Sequence, residues 1–340
     1  MIQGADGILP PSGCSLTWCY VLVKVLLITL AILVILPSRV SSARDNDGKL
    51  NDRPIIGVLS QESVKELMEF GPTYIPASYV KFIESGGARV VPILINQTES
   101  YYTEMFNSIN GVLFPGGGVD DLLHSGYGIA GKIFYDLAIK SNKEGDYFPI
   151  WGTCQGFELI ASLAAGKNIL ATLGANKENL NVSLTKDVAK SKLLGNAPSE
   201  VTDALRTKAV TYNYHTYSVT PDIYRKYAGL NSTYTILGTS KTDKGETFIS
   251  IMEAKEYPFY AVQFHPEKPT FEWSVNTNIK HNSFAVKTGA YFSEFLVSEA
   301  RKSNHTFVSP TEESSSLIYS YNVTFTGGAY DLTQCYFFDL

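Results

Sequence analysis

The chain has 340 residues, 44% hydrophobic and 18% charged, a composition that excludes a disordered or low-complexity chain. Lys and Arg number 28 against 33 Asp and Glu, a net charge of −5 that argues against a nucleic-acid partner held through its phosphates. Four cysteines and five histidines, with no Cys-x-x-Cys or His-x-x-x-His pair, argue against a metal site, and the length excludes a disulfide-stapled miniature fold.

Leu16 to Leu36 is an apolar run broken only by Lys24, followed by Pro37 and the small residues Ser41-Ser42-Ala43. That pattern predicts a signal peptide over residues 1–43, with a retained signal anchor as the alternative because the run is long enough to span a bilayer. Residues 44–52 are polar and read as a linker, and one folded domain is expected over 53–340. Within it, Ile55–Leu59 reads as a strand and Ala77–Ser85 as a helix stopped by Gly86-Gly87. Arg89–Ile95 reads as a strand that Pro92 confines to a sheet edge or strand end. A helix over Tyr101–Ile109, a strand over Gly111–Phe114, a helix over Ala130–Lys140 and a strand over Phe148–Trp151 follow. This alternation predicts an α/β fold with a parallel sheet between helices. Further on, strands are expected at Tyr234–Leu237, Phe248–Met252 and Phe259–Phe264, and an amphipathic helix at Asn282–Lys302 burying Phe284, Tyr291, Phe295 and Leu296. Residues 309–316 read as a polar stretch and 317–340 as an aromatic-rich tail.

The chemistry concentrates at Gly152-Thr153-Cys154-Gln155-Gly156, between a strand and the apolar run Phe157–Ala165. This is the elbow of a nucleophile held on a tight strand-to-helix turn, with cysteine as the nucleophile. A sulfur at a helix N-terminus is expected to favour thiolate, and the Gln155 N–H to face a developing oxyanion. A thiol needs a base, and His265 in Phe264-His-Pro-Glu267 ends a strand with a carboxylate two residues on that can orient its ring. Phe114-Pro-Gly-Gly-Gly118 can turn bare N–H groups toward a carbonyl oxygen, and no Gly-Lys-Ser/Thr follows that would make it a phosphate loop.

The glycine loop, the elbow and the His-Pro-Glu together resemble the class I glutamine amidotransferase-like group and, within it, the γ-glutamyl hydrolase (folylpolyglutamate hydrolase) family. The segments carrying the resemblance are 53–59 (RPIIGVL), 77–92, 108–120, 145–158, 264–268 and 334–339 (QCYFFD). The resemblance implies a flavodoxin-like three-layer sandwich whose mostly parallel central sheet is flanked by helices. It implies a nucleophile at Cys154, an acid/base at His265 and an orienting carboxylate at Glu267. Gly117 and Gln155 fall at the oxyanion positions, while His215, Gln263 and Glu158 fall near the substrate. The implied substrates are poly-γ-glutamylated folates and antifolates, small molecules cut through a thioester with no metal or organic cofactor; monomer and homodimer both stay open. His124, His281 and His305 match no catalytic motif and read as surface residues. Sequons begin at Asn96, Asn181, Asn231, Asn304 and Asn322, and behind a signal-like segment they predict a glycoprotein of the secretory pathway, lysosomal or extracellular. A glutaminase-type amidotransferase and an inactive secreted binding glycoprotein are the competing readings.

Overall fold

The computed structural model describes residues 50–328 and 330–339. Residues 1–43, expected to be a signal peptide, lie outside the described residues. Asn51, at the end of the expected linker, is already tied down: its N–H donates to the Arg301 carbonyl at 2.7 Å.

The strands in chain order are β1 (Ile55–Leu59), β2 (Gln61–Glu62), β3 (Thr73–Pro76), β4 (Arg89–Ile93), β5 (Val112–Phe114), β6 (Ile150–Thr153) and β7 (Ala175–Leu180). There follow β8 (Ser183–Leu184), β9 (Thr211–His215), β10 (Tyr234–Lys241), β11 (Thr247–Ala254), β12 (Phe259–Val262), β13 (Val323–Phe325) and β14 (Gln334–Phe338). The main sheet has eight strands in the order β4-β1-β5-β6-β12-β11-β10-β8. From β4 to β12 every pairing is parallel, and from β12 to β8 every pairing is antiparallel. Pro92 lies in β4, at the outer edge, where its missing N–H costs no interior ladder bond.

The two-residue period of β1 explains the three layers. Ile55 and Leu59 face one core, with Phe106, Phe134 and Phe157 from the helices Glu99–Ser108, Gly126–Lys143 and Gln155–Ala165. Ile56 and Val58 face the other, with Phe82, Phe292 and Leu296 from the helices Ala77–Ser85 and Ser283–Ala300. Burial on both faces requires the near-continuous apolar run that β1 displays. Each fully buried phenylalanine contributes about 2–3 kcal/mol of transfer free energy.

Four parts of the chain depart from expectation. Phe284 is 38% exposed on the long helix, whereas Leu296 is fully buried and Tyr291 and Phe295 are partly so. Residues 310–316 form a short helix because the Ser309 side chain accepts the Glu312 N–H as an N-cap. The aromatic tail forms β13 and β14, which join β3 and β2 in a second, four-stranded sheet, where Phe337 stacks on Phe70. A further ladder, β7 with β9, also went unpredicted.

Candidate active site

β6 ends at Thr153, and the next residue turns the chain into the helix Gln155–Ala165. Cys154 makes that turn at φ 54° and ψ −108°, a region that costs an L-residue of order 1–3 kcal/mol and persists only under surrounding constraint. Part of the constraint is the Cys154 N–H, which donates to the Val262 carbonyl of β12 at 2.9 Å. Another part is Gly156: a Cβ there would overlap the Phe114 carbonyl oxygen, so only glycine lets the helix start this close to β5.

β12 delivers the base. His265 follows its end, buried, with its N–H donating to the Tyr212 carbonyl at 2.9 Å. Its Nδ1 lies 2.8 Å from Glu267 Oε1 and 3.2 Å from the Tyr79 hydroxyl. The Tyr214 backbone carbonyl lies 3.8 Å from Cys154 Sγ and also favours the charged form of the His265 ring. Around Gly116 the groups converge: a Cβ built there would meet His265 Cε1 at 2.7 Å, the Tyr79 hydroxyl at 2.8 Å and Cys154 Cβ at 3.1 Å. Cys154, His265 and Glu267, 111 and more residues apart in part, thus meet where β6 and β12 run side by side.

The electrostatics differ from the expected thiolate–imidazolium pair. Burial pushes the Cys154 thiol well above its ordinary value; Glu158 adds to the rise, while Lys268 and the Gln155 N–H oppose it. Burial likewise lowers the His265 pKa, against the pull of Glu267. The helix N-terminus does act in the expected direction through Gln155, but enclosure outweighs it, so both shifts favour thiol and neutral imidazole over the charged pair.

Cys154 opens onto two cavities. One of about 300 Å³ is lined by Tyr74, Tyr79, His265, Lys268 and Tyr330. The other, about 380 Å³, is lined by Leu122, Gln155, Glu158, Asn168 and Tyr217. Gly117, His215 and Thr216 border both. His215 points its Nδ1 at the Tyr217 carbonyl at 2.9 Å; its Nε2 has no partner among the described residues, and burial pushes its pKa down to about 4. Glu158 is buried, accepts from Gln263 Nε2 at 2.9 Å, and is pushed up to about 8 by burial, so it is a neutral acid at pH 7. Gln263 does not line either cavity as a wall residue; it backs Glu158.

Sequence reasoning missed Tyr79 and Lys268. Tyr79 has the helical spacing of a core residue, and nothing in that spacing says its hydroxyl reaches the base. Lys268 could have been found from its place directly after Glu267. Among the remaining histidines, His124 and His281 are exposed, but His305 is not a surface residue. Its ring packs on Phe106 and Phe148, with Nδ1 2.8 Å from the Phe106 carbonyl and Nε2 2.8 Å from Asp146. Of the sequon asparagines, Asn96, Asn181, Asn304 and Asn322 are exposed. Asn231 is half-buried and its Nδ2 donates to the Tyr224 and Arg225 carbonyls. Among the described residues no group of three or more His, Cys, Asp or Glu is arranged to hold a metal ion.

The peptidase C26 family model matches residues 54–267, which include the elbow, the glycine loop and the His-Pro-Glu. The chain is 45% identical over 289 residues to a γ-glutamyl hydrolase of Mus musculus, covering 85% of this chain and 90% of that protein. It is 43% identical over 293 residues to the Homo sapiens γ-glutamyl hydrolase, covering 86% and 92% of the two. γ-Glutamyl hydrolase B of Dictyostelium discoideum is 37% identical over 292 residues, covering 85% and 84%.

Proposed function

Because this chain belongs to the peptidase C26 family of γ-glutamyl hydrolases, we propose that it hydrolyses the γ-glutamyl bonds of poly-γ-glutamylated folates, with Cys154 as nucleophile and His265 as acid and base. The observation that carries the assignment of roles is the meeting of a strained Cys154 with a Glu267-bound His265 around Gly116.

In the first half-reaction His265 takes the thiol proton as Sγ bonds to the γ-carbonyl carbon. The oxyanion that forms is held by the N–H groups of Gln155 and Gly117. Collapse breaks the C–N bond, the leaving amine takes the proton from His265, and a thioester remains. His265 then deprotonates a water, which attacks the thioester carbon and releases the acid, while Sγ regains its proton. Glu267 holds the ring and offsets the charge it carries between the two transfers. His215 and the neutral Glu158, backed by Gln263, offer hydrogen bonds to the carboxylates of the substrate from walls that border Cys154. Exposure of four sequon asparagines supports a glycosylated protein of the secretory pathway, acting in lysosomes or outside the cell.

Chromatography of the products of a folate pentaglutamate digest tests the activity: shortened folates and free glutamate or glutamyl peptides are expected. Cys154→Ala should lower that rate at least a thousandfold with the protein still folded, because no other group can form the thioester. Residual turnover above that level removes Cys154 from its role. Ammonia released from glutamine, with the polyglutamate left intact, removes the substrate assignment.

A further inference from the structure

Gln61 is fully buried in β2, where an apolar side chain would need no hydrogen-bond partners. Its Nε2 donates to the Gly116 carbonyl at 2.8 Å, and its Oε1 accepts from Gln155 Nε2 at 3.4 Å. The Gln155 Oε1 in turn accepts the Val119 N–H at 2.7 Å. The Gly116 N–H goes to the Tyr79 hydroxyl at 2.8 Å, and the Pro115 carbonyl accepts from the Tyr127 hydroxyl at 2.9 Å. Side chains from four different elements therefore grip residues 115–119 on either side of Gly117.

A peptide unit is planar, and in its trans form the C=O and N–H point in opposite directions. The Gly116–Gly117 unit is trans, since the described residues contain no cis peptide. With its C=O drawn to Gln61, its N–H must face away from Gln61, on the side of the cavities that Gly117 shares with Cys154. Two adjacent glycines would otherwise let this unit rotate at little steric cost and turn the carbonyl oxygen toward the forming oxyanion. A Cβ on Gly117 would overlap Gln61 Oε1, so the amide of Gln61 sits directly against the unit it holds.

We propose that Gln61 is a positioning residue for the reaction: with the side chain of Gln155, it locks the Gly116–Gly117 peptide with its N–H toward Cys154. Gln155 then has two tasks, its N–H serving as one oxyanion donor and its side chain coupling that donor to the other. The inference rests on the γ-glutamyl hydrolase reading, and its value to the reaction is preorganisation, since a donor fixed before the substrate arrives needs no reorientation when charge develops.

The test uses Gln61→Leu, which keeps bulk and removes the donor. Turnover should fall about a hundredfold with KM within about threefold, the loss typical of one misplaced oxyanion donor. A γ-glutamyl aldehyde supplies the second readout: Cys154 sulfur adds to its carbonyl carbon, the thiol proton is transferred through His265, and the resulting oxygen occupies the oxyanion position. Its affinity should fall by the same factor as turnover, whereas affinity for the uncleaved substrate, measured in a Cys154→Ala background, should not change. Gln61→Glu provides the variant that keeps shape if the leucine fails to fold. Its carboxyl donates to the Gly116 carbonyl only when protonated, so its activity relative to wild type should recover as the pH is lowered from 7 to 4. Unchanged aldehyde affinity in Gln61→Leu, or a Gln61→Glu profile that parallels wild type, would overturn the proposal. Wild-type protein that leaves polyglutamates intact but still binds the aldehyde with the Gln61 dependence would overturn the activity and not the lock.

Discussion

At the scale of single residues, the buried pair of Cys154 and His265 sets how the protein should respond to pH. General-base catalysis needs neutral imidazole, and burial holds the His265 pKa below the ordinary ~6.5. The acidic limb of kcat/KM should therefore lie below pH ~6.5. A basic limb should follow near the Glu158 value of about 8, because ionisation there places a negative charge where it opposes a thiolate or oxyanion. A pH profile of wild type and Glu158→Gln checks both: the variant should lose the basic limb and keep the acidic one. An acidic limb above 6.5 would show that His265 is not the group being titrated. His265→Asn should lower turnover by several orders of magnitude, as it removes proton transfer in both half-reactions. Glu267→Gln should cost less, because an amide still bonds Nδ1 at the position now 2.8 Å away. Equal loss in the two variants, measured under single-turnover conditions, would overturn that ranking. The catalytic residues were legible because their chemistry is local in sequence: the elbow and the His-Pro-Glu each occupy a few adjacent positions. Tyr79 and Gln61 were not, since their roles consist of hydrogen bonds to Gly116 across 37 and 55 residues.

At the scale of elements, the elbow depends on how closely a helix can approach a strand. Gly156→Ala should push the helix Gln155–Ala165 away from Phe114, whose carbonyl oxygen occupies the space of the added methyl. Overpacking of this kind costs about 1–3 kcal/mol, and here the displacement also moves the Gln155 N–H. The expected result is a lowered Tm together with a kcat loss of about 10²-fold, since a misplacement of about 1 Å is enough for that. Wild-type turnover in this variant would mean that the approach is not needed for the chemistry. Elements with a strong apolar period were read closely from sequence. The helix Ala77–Ser85 has the expected bounds, and Pro92 marks the edge strand it was expected to mark. β7, with the sequence Ala-Asn-Lys-Glu-Asn-Leu, carries no such period. Its ladder with β9 includes a register shift between Asn176 and Glu178, and Lys177 adopts φ 59° at that point. A bulged, polar strand presents neither alternation nor a continuous apolar run, so local pattern could not reveal it.

At the scale of the whole molecule, His305 links regions far apart in sequence. Burial pulls its pKa down, but bonds to Asp146 and to the Phe106 carbonyl outweigh that and leave it raised. Burial also pushes Asp146 up, and His305 with Ser141 outweighs it, leaving Asp146 lowered. A raised histidine stabilises the fold fully below its unfolded pKa of ~6.5 and loses that contribution as pH rises through the folded value. A lowered aspartate stabilises above ~3.9 and loses it as pH falls. Both contributions coincide between about pH 4 and 6.5. His305→Gln should accordingly lower Tm by about 2 °C at pH 5 and by less at pH 8, half-exposure of Asp146 keeping the effect small. A thermal shift that is larger at pH 8 would refute the pairing as its cause. The parallel half of the main sheet was legible from alternating strands and helices, whereas the four-stranded second sheet was not. β14 pairs with β3 across more than 250 residues, a distance at which no local pattern operates.

That pairing also fixes when the site can come into being. β3 supplies Tyr74 and Pro76 to one cavity at Cys154, and the stretch just before β14 supplies Tyr330, Asp331 and Leu332 to the same wall. On the ribosome, the thiol, the imidazole and the glycine loop all emerge before residue 330 is translated. A nascent chain thus carries the complete set of reacting groups while one wall of its cavity is still unsynthesised, and that wall can close only after residues 330–332 have been made and β14 has paired with β3.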